Sequence, residues 1–522
     1  MRRTTLAILA LLAAQLCAAQ LPAFLRPDPA IAGIGALTES VDVARLARAA
    51  LLASGASPER LGYYESRLDG VLGELKASRG QGAATNSAKA EAVLTFLHEG
   101  VLKAYREDAT GLTDILDSGR YNCVSSAVLY AIAARSLGIE AAGVRTEDHA
   151  FASVRVDGRS IDVETTNPYG FDPGGKKEFK DSFGRVTGFA YVAPGGYGDR
   201  RPIGAGDLVG LILSNRASAL ERTRRFAEAT RLGVDYAFLC PGPDSRGFLV
   251  DRINNLVADL ESRRDYAGAE EIARAAFAAM PEEERLGSIA KNAAYNRAAS
   301  LAQAGDWEAA FDAAILVSAA YPSDAQASSL ASSSLQGLAQ DLARKGDFDA
   351  ARRAVAARAS RAGPSAAEAA YAVVGEAELV GAVNGLGFAP AAAAAQRILA
   401  AGEVSVARYA QAIAAIYGNE AGRIGSAGDW LGGAALAERG IAALAAAATA
   451  TTVATGSLAR LARNLRQNFV AEAHNRFAKL YNAGDYAGAK AAIAAAMSAA
   501  DEPLRGDATL ERDLAAAESA LK

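Results

Sequence analysis

Cys123, His149 and Glu164 are the side chains whose types and spacing could together do covalent chemistry. A cysteine becomes a strong nucleophile beside a proton acceptor, and an imidazole acts reliably when a carboxylate fixes its orientation. Cys123 directly precedes Val124, Ala127, Val128, Ala131, Ile132 and Leu137, which fall at helical spacing, with Gly138 where a C-terminal cap belongs. Its sulfur is therefore expected at the positive end of a helix dipole, beside free backbone N–H groups. That setting favours a thiolate and can bind an oxyanion. Asn122, beside it, is a candidate second oxyanion donor.

His149 is brought into range by a hairpin. Val156-Asp157-Gly158-Arg159 is flanked by extended runs, and Asp-Gly is a strong two-residue turn signal. Pairing Val156 with Arg159 sets Ser153 opposite Asp162, Phe151 opposite Glu164 and His149 opposite Thr166. Ala150, Ala152, Val154, Val156, Ile161 and Val163 then share one face, the core face. His149, Phe151, Ser153, Asp162, Glu164 and Thr166 share the other. Glu164 is the diagonal neighbour of His149 and the carboxylate expected to orient it. Asp162 lies two residues further along and is the fallback.

A plainer reading of the same residues stays open, with Cys123 a small buried apolar group, His149 a strand-edge polar group and Glu164 solvated. Cys240 is expected to be a packing residue, and a Cys123–Cys240 disulfide is a further alternative that would disable the site. His98 lies in a helical run and His474 near the end of the chain, where structural or surface roles are expected.

The segment SGRYNCVSSAVLYAIAARSLGIEAAGV, 118–144, resembles the transglutaminase-like core of bacterial proteins: a Cys opening a helix, small and apolar residues, and a Leu-Gly-Ile turn into a strand. HAFASVRVDGRSIDVETT, 149–166, is similar to the His strand, hairpin and carboxylate strand of that family. The resemblance covers about 110–205. It implies a papain-like fold in which Cys123 is the nucleophile, His149 the base and Glu164 the orienter. Glu164 stands where the family has Asp, so its longer side chain must fold back, and Val124 replaces the aromatic that often follows the Cys.

Around this core the chain divides into four expected regions. Residues 1–19 read as a signal peptide, with Arg2 and Arg3 ahead of an apolar stretch from Leu6 to Leu16 and small residues before Gln20. A lipid anchor at Cys17 is the lesser alternative. Residues 20–110 are expected to be a helical segment packing on the core, with helices at about 40–54, 57–77 and 86–106. Residues 111–205 form the transglutaminase-like α+β core, with strands at about 139–145, 149–156 and 159–165. After 167 a long Gly/Pro-rich loop is expected, with one more strand at 187–192. Tyr169, Phe171, Phe183, Tyr191 and Tyr197 in that loop are candidates to roof a cleft.

Residues 206–522 repeat. An aromatic followed three residues later by a small residue recurs at Phe226/Ala229, Tyr266/Ala269, Trp307/Ala310, Phe348/Ala351, Phe388/Ala391 and Trp430/Gly433, spaced by 40, 41, 41, 40 and 42 residues. Asp265, Asp306, Asp347 and Asp429 precede four of these aromatics, and Asp485-Tyr486 with Ala489 is a later, degenerate copy. Such spacing reads as stacked helix pairs. Residues 305–322, GDWEAAFDAAILVSAAYP, resemble the turn and second helix of a tetratricopeptide repeat, which implies an α-solenoid able to bind a protein partner. The fold expected overall is mainly α, with a small α+β domain followed by this helical array.

The 522 residues are 51% apolar, 22% charged and 7% aromatic, with a formal net charge of -4, a globular composition that offers no basic track for nucleic acid. No phosphate-binding glycine loop or metal-ligand spacing occurs, so neither cofactor nor metal is expected. The stretch 440–459 is too weakly apolar for a membrane span and reads as a buried helix. Together these features point to an exported thiol enzyme, periplasmic or extracellular, that cleaves or transfers an amide or acyl group of a peptide or protein. Peptidase or amidase activity is favoured over transglutaminase activity. The competing expectation is a catalytically inactive scaffold whose repeats bind a partner.

Overall fold

The computed structural model describes residues 22–79, 85–147, 149–174, 176–187, 199–448 and 452–522. The expected signal peptide and its Cys17, most of the expected strand at 187–192, and Tyr191 and Tyr197 lie outside the described residues, as does the side chain of Phe183. The chain is mainly helical with a small antiparallel sheet, and it forms two compact units, Met1–Ala293 and Ala294–Lys522.

The first unit opens with helices α1 (Pro29–Ile34), α2 (Val43–Ala53), α3 (Pro58–Arg79) and α4 (Asn86–Gly100). Strand β1 (Ala104–Tyr105), helix α5 (Leu112–Ser118) and strand β2 (Arg120–Tyr121) lead into α6 (Cys123–Ser136). The expected helix at 86–106 thus stops at Gly100, because Ala104 and Tyr105 pair in parallel with Arg120 and Tyr121.

Helix α6 is the central element. Every residue from Val124 to Ala134 is buried, including Ser125 and Ser126. It packs in one core with Leu46, Leu51, Leu94 and Leu97 from the helical side and with Ala150, Ala152 and Val154 from the sheet. Gly138, at φ +77°, ends the helix and turns the chain into the sheet.

The sheet comprises β3 (Glu140–Arg145), β4 (Ala150–Val156), β5 (Arg159–Val163) and β6 (Arg201–Ile203), in the order β5-β4-β3-β6, all antiparallel. The hairpin has the expected register: Val156 pairs with Arg159, Ser153 with Asp162 and Ala152 with Val163. Asp157 and Gly158 both take positive φ, 51° and 78°, as a two-residue turn that follows the strand twist requires. The ladder ends at Val163, earlier than expected. Glu164 N–H donates to the Gly170 carbonyl at 2.8 Å instead of pairing with Phe151.

The region expected as one long loop also contains α7 (Lys177–Thr187), which buries Phe179. Among the described residues the last strand is β6. Phe171 joins the core rather than a roof, whereas Tyr169 is exposed.

Beyond β6 the chain is helical. The seven repeat aromatics each open a helix: Phe226–Leu239, Tyr266–Ala279, Trp307–Ala320, Phe348–Ala356, Phe388–Ala400, Trp430–Ala446 and Tyr486–Ala499. Asp265, Asp306, Asp347, Asp429 and Asp485 cap their helices by accepting a first-turn N–H. The small residue three places on is buried in every copy. At Gly433 the reason is explicit, since a Cβ there would lie 2.6 Å from the Ala421 carbonyl oxygen. The stretch 440–459 is not one helix: the helix from Trp430 ends at Ala446 and the next begins at Thr452. Among the described residues no helix is long and apolar enough to cross a membrane.

Candidate active site

Asn122 sets the geometry of the nucleophile. Its Oδ1 accepts from the N–H groups of Val124 at 2.9 Å and Ser125 at 3.0 Å, while Ser125 Oγ accepts from Asn122 N–H at 2.9 Å. This reciprocal cap fixes the first turn of α6. Asn122 Nδ2 donates to the Glu107 carbonyl at 2.9 Å. The side chain expected as an oxyanion donor is therefore buried and held as a helix cap. Cys123 is the first residue of the helix, half-buried and a free thiol. Its own backbone N–H lies outside the cap and is the first-turn donor nearest the sulfur.

His149 sits just before β4. Thr146 pins its backbone: Thr146 N–H donates to the His149 carbonyl at 2.9 Å, and His149 N–H donates to Thr146 Oγ1 at 3.1 Å. The imidazole Nε2 lies 2.7 Å from Glu164 Oε2. The imidazole also shares a hydrogen bond with the Cys123 side chain. Burial works against the imidazolium. The Glu164 charge and the hydrogen bonds to Cys123 and Glu164 outweigh it, so the His149 pKa is raised well above the ordinary imidazole value.

Glu164 is 3% exposed. Its second oxygen, Oε1, accepts from Thr166 Oγ1 at 2.8 Å and Thr166 N–H at 3.3 Å. The longer side chain is thus folded back onto its own loop. The loop is closed by Gly170, where a Cβ would lie 1.9 Å from the Glu164 carbonyl oxygen. Asp162, the fallback carboxylate, is not brought to His149. Arg200 holds it through two hydrogen bonds, Nη1 to Oδ2 at 2.8 Å and Nη2 to Oδ1 at 2.6 Å.

Two neighbours were not expected at the site, His98 having been assigned a structural or surface role. His98, on α4, is half-buried beside the site, with Nε2 3.1 Å from the Thr165 carbonyl and its ring edge-on to Tyr121. Burial lowers its pKa to about 4 despite that hydrogen bond, so it is neutral at physiological pH. Tyr105 is half-buried. Burial first, then the charges of Cys123, Glu107 and Glu164, raise its pKa and keep its phenol protonated. Helical periodicity cannot flag either residue, because their partners are distant in sequence.

Cys240 and His474 stand apart from this constellation. Cys240 is buried and free, its thiol donating to the Gly206 carbonyl at 3.1 Å. His474 Nδ1 lies 2.6 Å from Asp513 Oδ2 in the second unit. Among the described residues no cluster of His, Cys, Asp and Glu could hold a metal ion.

No protein-family model matches the chain, and no curated protein matches it.

Proposed function

We propose that the chain is an exported thiol-dependent enzyme with a transglutaminase-like, papain-like core, cleaving or transferring an amide or acyl group through a thioester at Cys123. The observation that carries this reading is the chain of contacts from Glu164 Oε2, 2.7 Å from His149 Nε2, through the imidazole to the side chain of Cys123.

In the first half-reaction the Cys123 thiol gives its proton to His149, the thiolate attacks the carbonyl carbon, and the C=O π pair moves onto oxygen. The Cys123 N–H donates to that oxyanion. As the intermediate collapses the C–N bond breaks, the imidazolium gives its proton to the departing amine, and the acyl group remains as a thioester. In the second half, neutral His149 takes a proton from water, hydroxide attacks the thioester carbon, and the C–S bond breaks to return the thiolate. An amine in place of water gives transfer. Hydrolysis is the default in a dilute exported setting. Throughout, Glu164 stabilises the imidazolium and, when the ring is neutral, fixes its tautomer.

The helices that follow are an α-solenoid of tetratricopeptide-like pairs that presents a protein or peptide ligand. Their shared start, an aromatic after a capping Asp with a buried small residue three places on, supports this.

The deciding experiment is the pH dependence of iodoacetamide alkylation, read at the Cys123 peptide by mass spectrometry. Fast labelling below pH 7 that collapses in His149→Ala and weakens in Glu164→Gln supports the enzyme. An ordinary thiol profile, indifferent to both substitutions, overturns it and leaves the scaffold reading.

A further inference from the structure

We propose that Ser126 and His98 are positioning residues, which clamp the Thr165–Thr166 segment so that Glu164 is held against His149. The inference rests on the catalytic reading above and adds the part that sets its geometry.

The hydrogen bonds can be assigned in sequence. Ser126 lies one turn after Cys123 on α6, and its Oγ–H donates to the Asn122 carbonyl at 2.7 Å. A hydroxyl has one proton, so toward Thr165 Oγ1, 2.8 Å away, Ser126 Oγ must be the acceptor and Thr165 the donor. The Thr165 carbonyl lies 3.1 Å from His98 Nε2. Since His98 is neutral, the tautomer with the proton on Nε2 is the one that donates here. Tyr121 OH donates to the Thr166 carbonyl at 3.3 Å, and Thr166 Oγ1 donates to Glu164 Oε1 at 2.8 Å.

Three elements, α4, α6 and β2, thus grip two successive peptide units, and the second carries the hydroxyl that holds the carboxylate. Ser126 and Thr165 are both fully buried. Two buried hydroxyls, one on α6 and one in the loop after β5, cost desolvation that Ala and Val would not. What they provide is a direct tie between the nucleophile helix and the carboxylate loop. With Oε1 held by Thr166, Oε2 is aimed at His149. Glu164 and Cys123 are the charged and titratable groups hydrogen-bonded to that imidazole.

The test uses the full chain and two readouts: the ring-nitrogen NMR titration of His149 and the pH profile of Cys123 alkylation. Thr166→Val and Ser126→Ala remove single hydroxyls, His98→Leu removes the third contact, and Thr166→Ser restores the first. Expected for Thr166→Val is a His149 titration lowered by about one pH unit, with alkylation at pH 6 reduced several-fold, as loss of one hydrogen bond to a charged group implies. Thr166→Ser should recover both. Ser126→Ala and His98→Leu should shift both readouts in the same direction, and folded Ser126→Ala and His98→Leu proteins with unchanged titration and alkylation would overturn the clamp. A wild-type thiol of ordinary reactivity, with a His149 titration that still moves in Ser126→Ala and His98→Leu, would instead overturn the catalytic reading and leave the clamp standing.

Discussion

Arg200 binds Asp162 through both terminal guanidinium nitrogens, and the same guanidinium lies 5.3 Å from the centre of the Phe151 ring. Asp162 is therefore neutralised on the strand that leads to Glu164. Asp162→Asn is expected to keep the His149-dependent alkylation of Cys123 within about twofold of wild type, because it loses an ion pair that is partly solvated. Glu164→Gln should change it strongly. Parallel alkylation profiles separate the two carboxylates, and equal losses would count against Glu164 as the orienter.

Gly170 offers a steric test of the same loop. A methyl group there must displace the Glu164 carbonyl, which would sit 1.9 Å from the new Cβ. Gly170→Ala is expected to lose the low-pH reactivity of Cys123 and to lower the melting temperature by several degrees, on the order of 1–3 kcal/mol. Calorimetry and alkylation on one sample check both.

The His149–Glu164 pair carries a pH signature. The folded pKa of His149 is raised above its unfolded value of about 6.5. The stability it contributes is full below that unfolded value and is lost as pH rises through the raised folded value. The gap in unfolding free energy between wild type and His149→Gln should be widest near pH 6 and narrow steadily in alkaline buffer. Urea melts from pH 6 to 10 test this, and a gap that widened with pH would contradict the assignment.

Asp235 also holds its proton more tightly in the folded chain, here because burial penalises the charged form. It is buried, accepts the Asp28 N–H at 2.8 Å, and burial raises its pKa to about 6 against that hydrogen bond and the charges of Arg231 and Arg216. The folded state thus binds this proton more tightly than the unfolded chain, and ionisation above pH 6 is destabilising. Asp235→Asn keeps an acceptor for Asp28 and removes the charge. It is expected to stabilise by about 1–3 kcal/mol at pH 7.5, with the gain fading toward pH 4. Denaturant melts at those two pH values decide it.

Arg225 occupies the cap position that Asp fills in five other copies, with nearly the same backbone, φ -92° and ψ 56°, and no capping oxygen. Arg225→Asn should supply that oxygen and stabilise by about 0.5–1 kcal/mol. Its exposed ion pair with Glu228 is a small loss beside this. A neutral or negative change in melting temperature would show that the turn cannot seat the side chain.

Local chemistry explains what was legible in the sequence. Asp157-Gly158 set the hairpin register, and the aromatic period marked six helix starts, with the degenerate copy at Tyr486 a seventh, because turns and caps are written in adjacent residues. The end of β5 was not legible, since the Gly170 carbonyl that claims the Glu164 N–H reaches back across a turn. Helix α7 was hidden in a segment rich in Lys, Gly and Pro, where packing of Phe179 outweighs weak propensity. Asn122 carried a readable cap signal, with Ser125 three residues on, and its proximity to the cysteine suggested a different task. The contact of His98 with Thr165 spans 67 residues and has no local signature at all.

Helix α6 has no free face from Val124 to Ala134. A rod enclosed by packing in this way cannot slide or roll without opening voids along its length. Cys123, at its first turn, is consequently an anvil: the sulfur is the stationary point of the site. On the proposed reading, accommodation of differently shaped acyl groups falls to what faces it, the residues around Thr146 and His149 and the Glu164–Gly170 loop. Variation that tunes selectivity should accumulate in those two segments, while the anvil tolerates almost none.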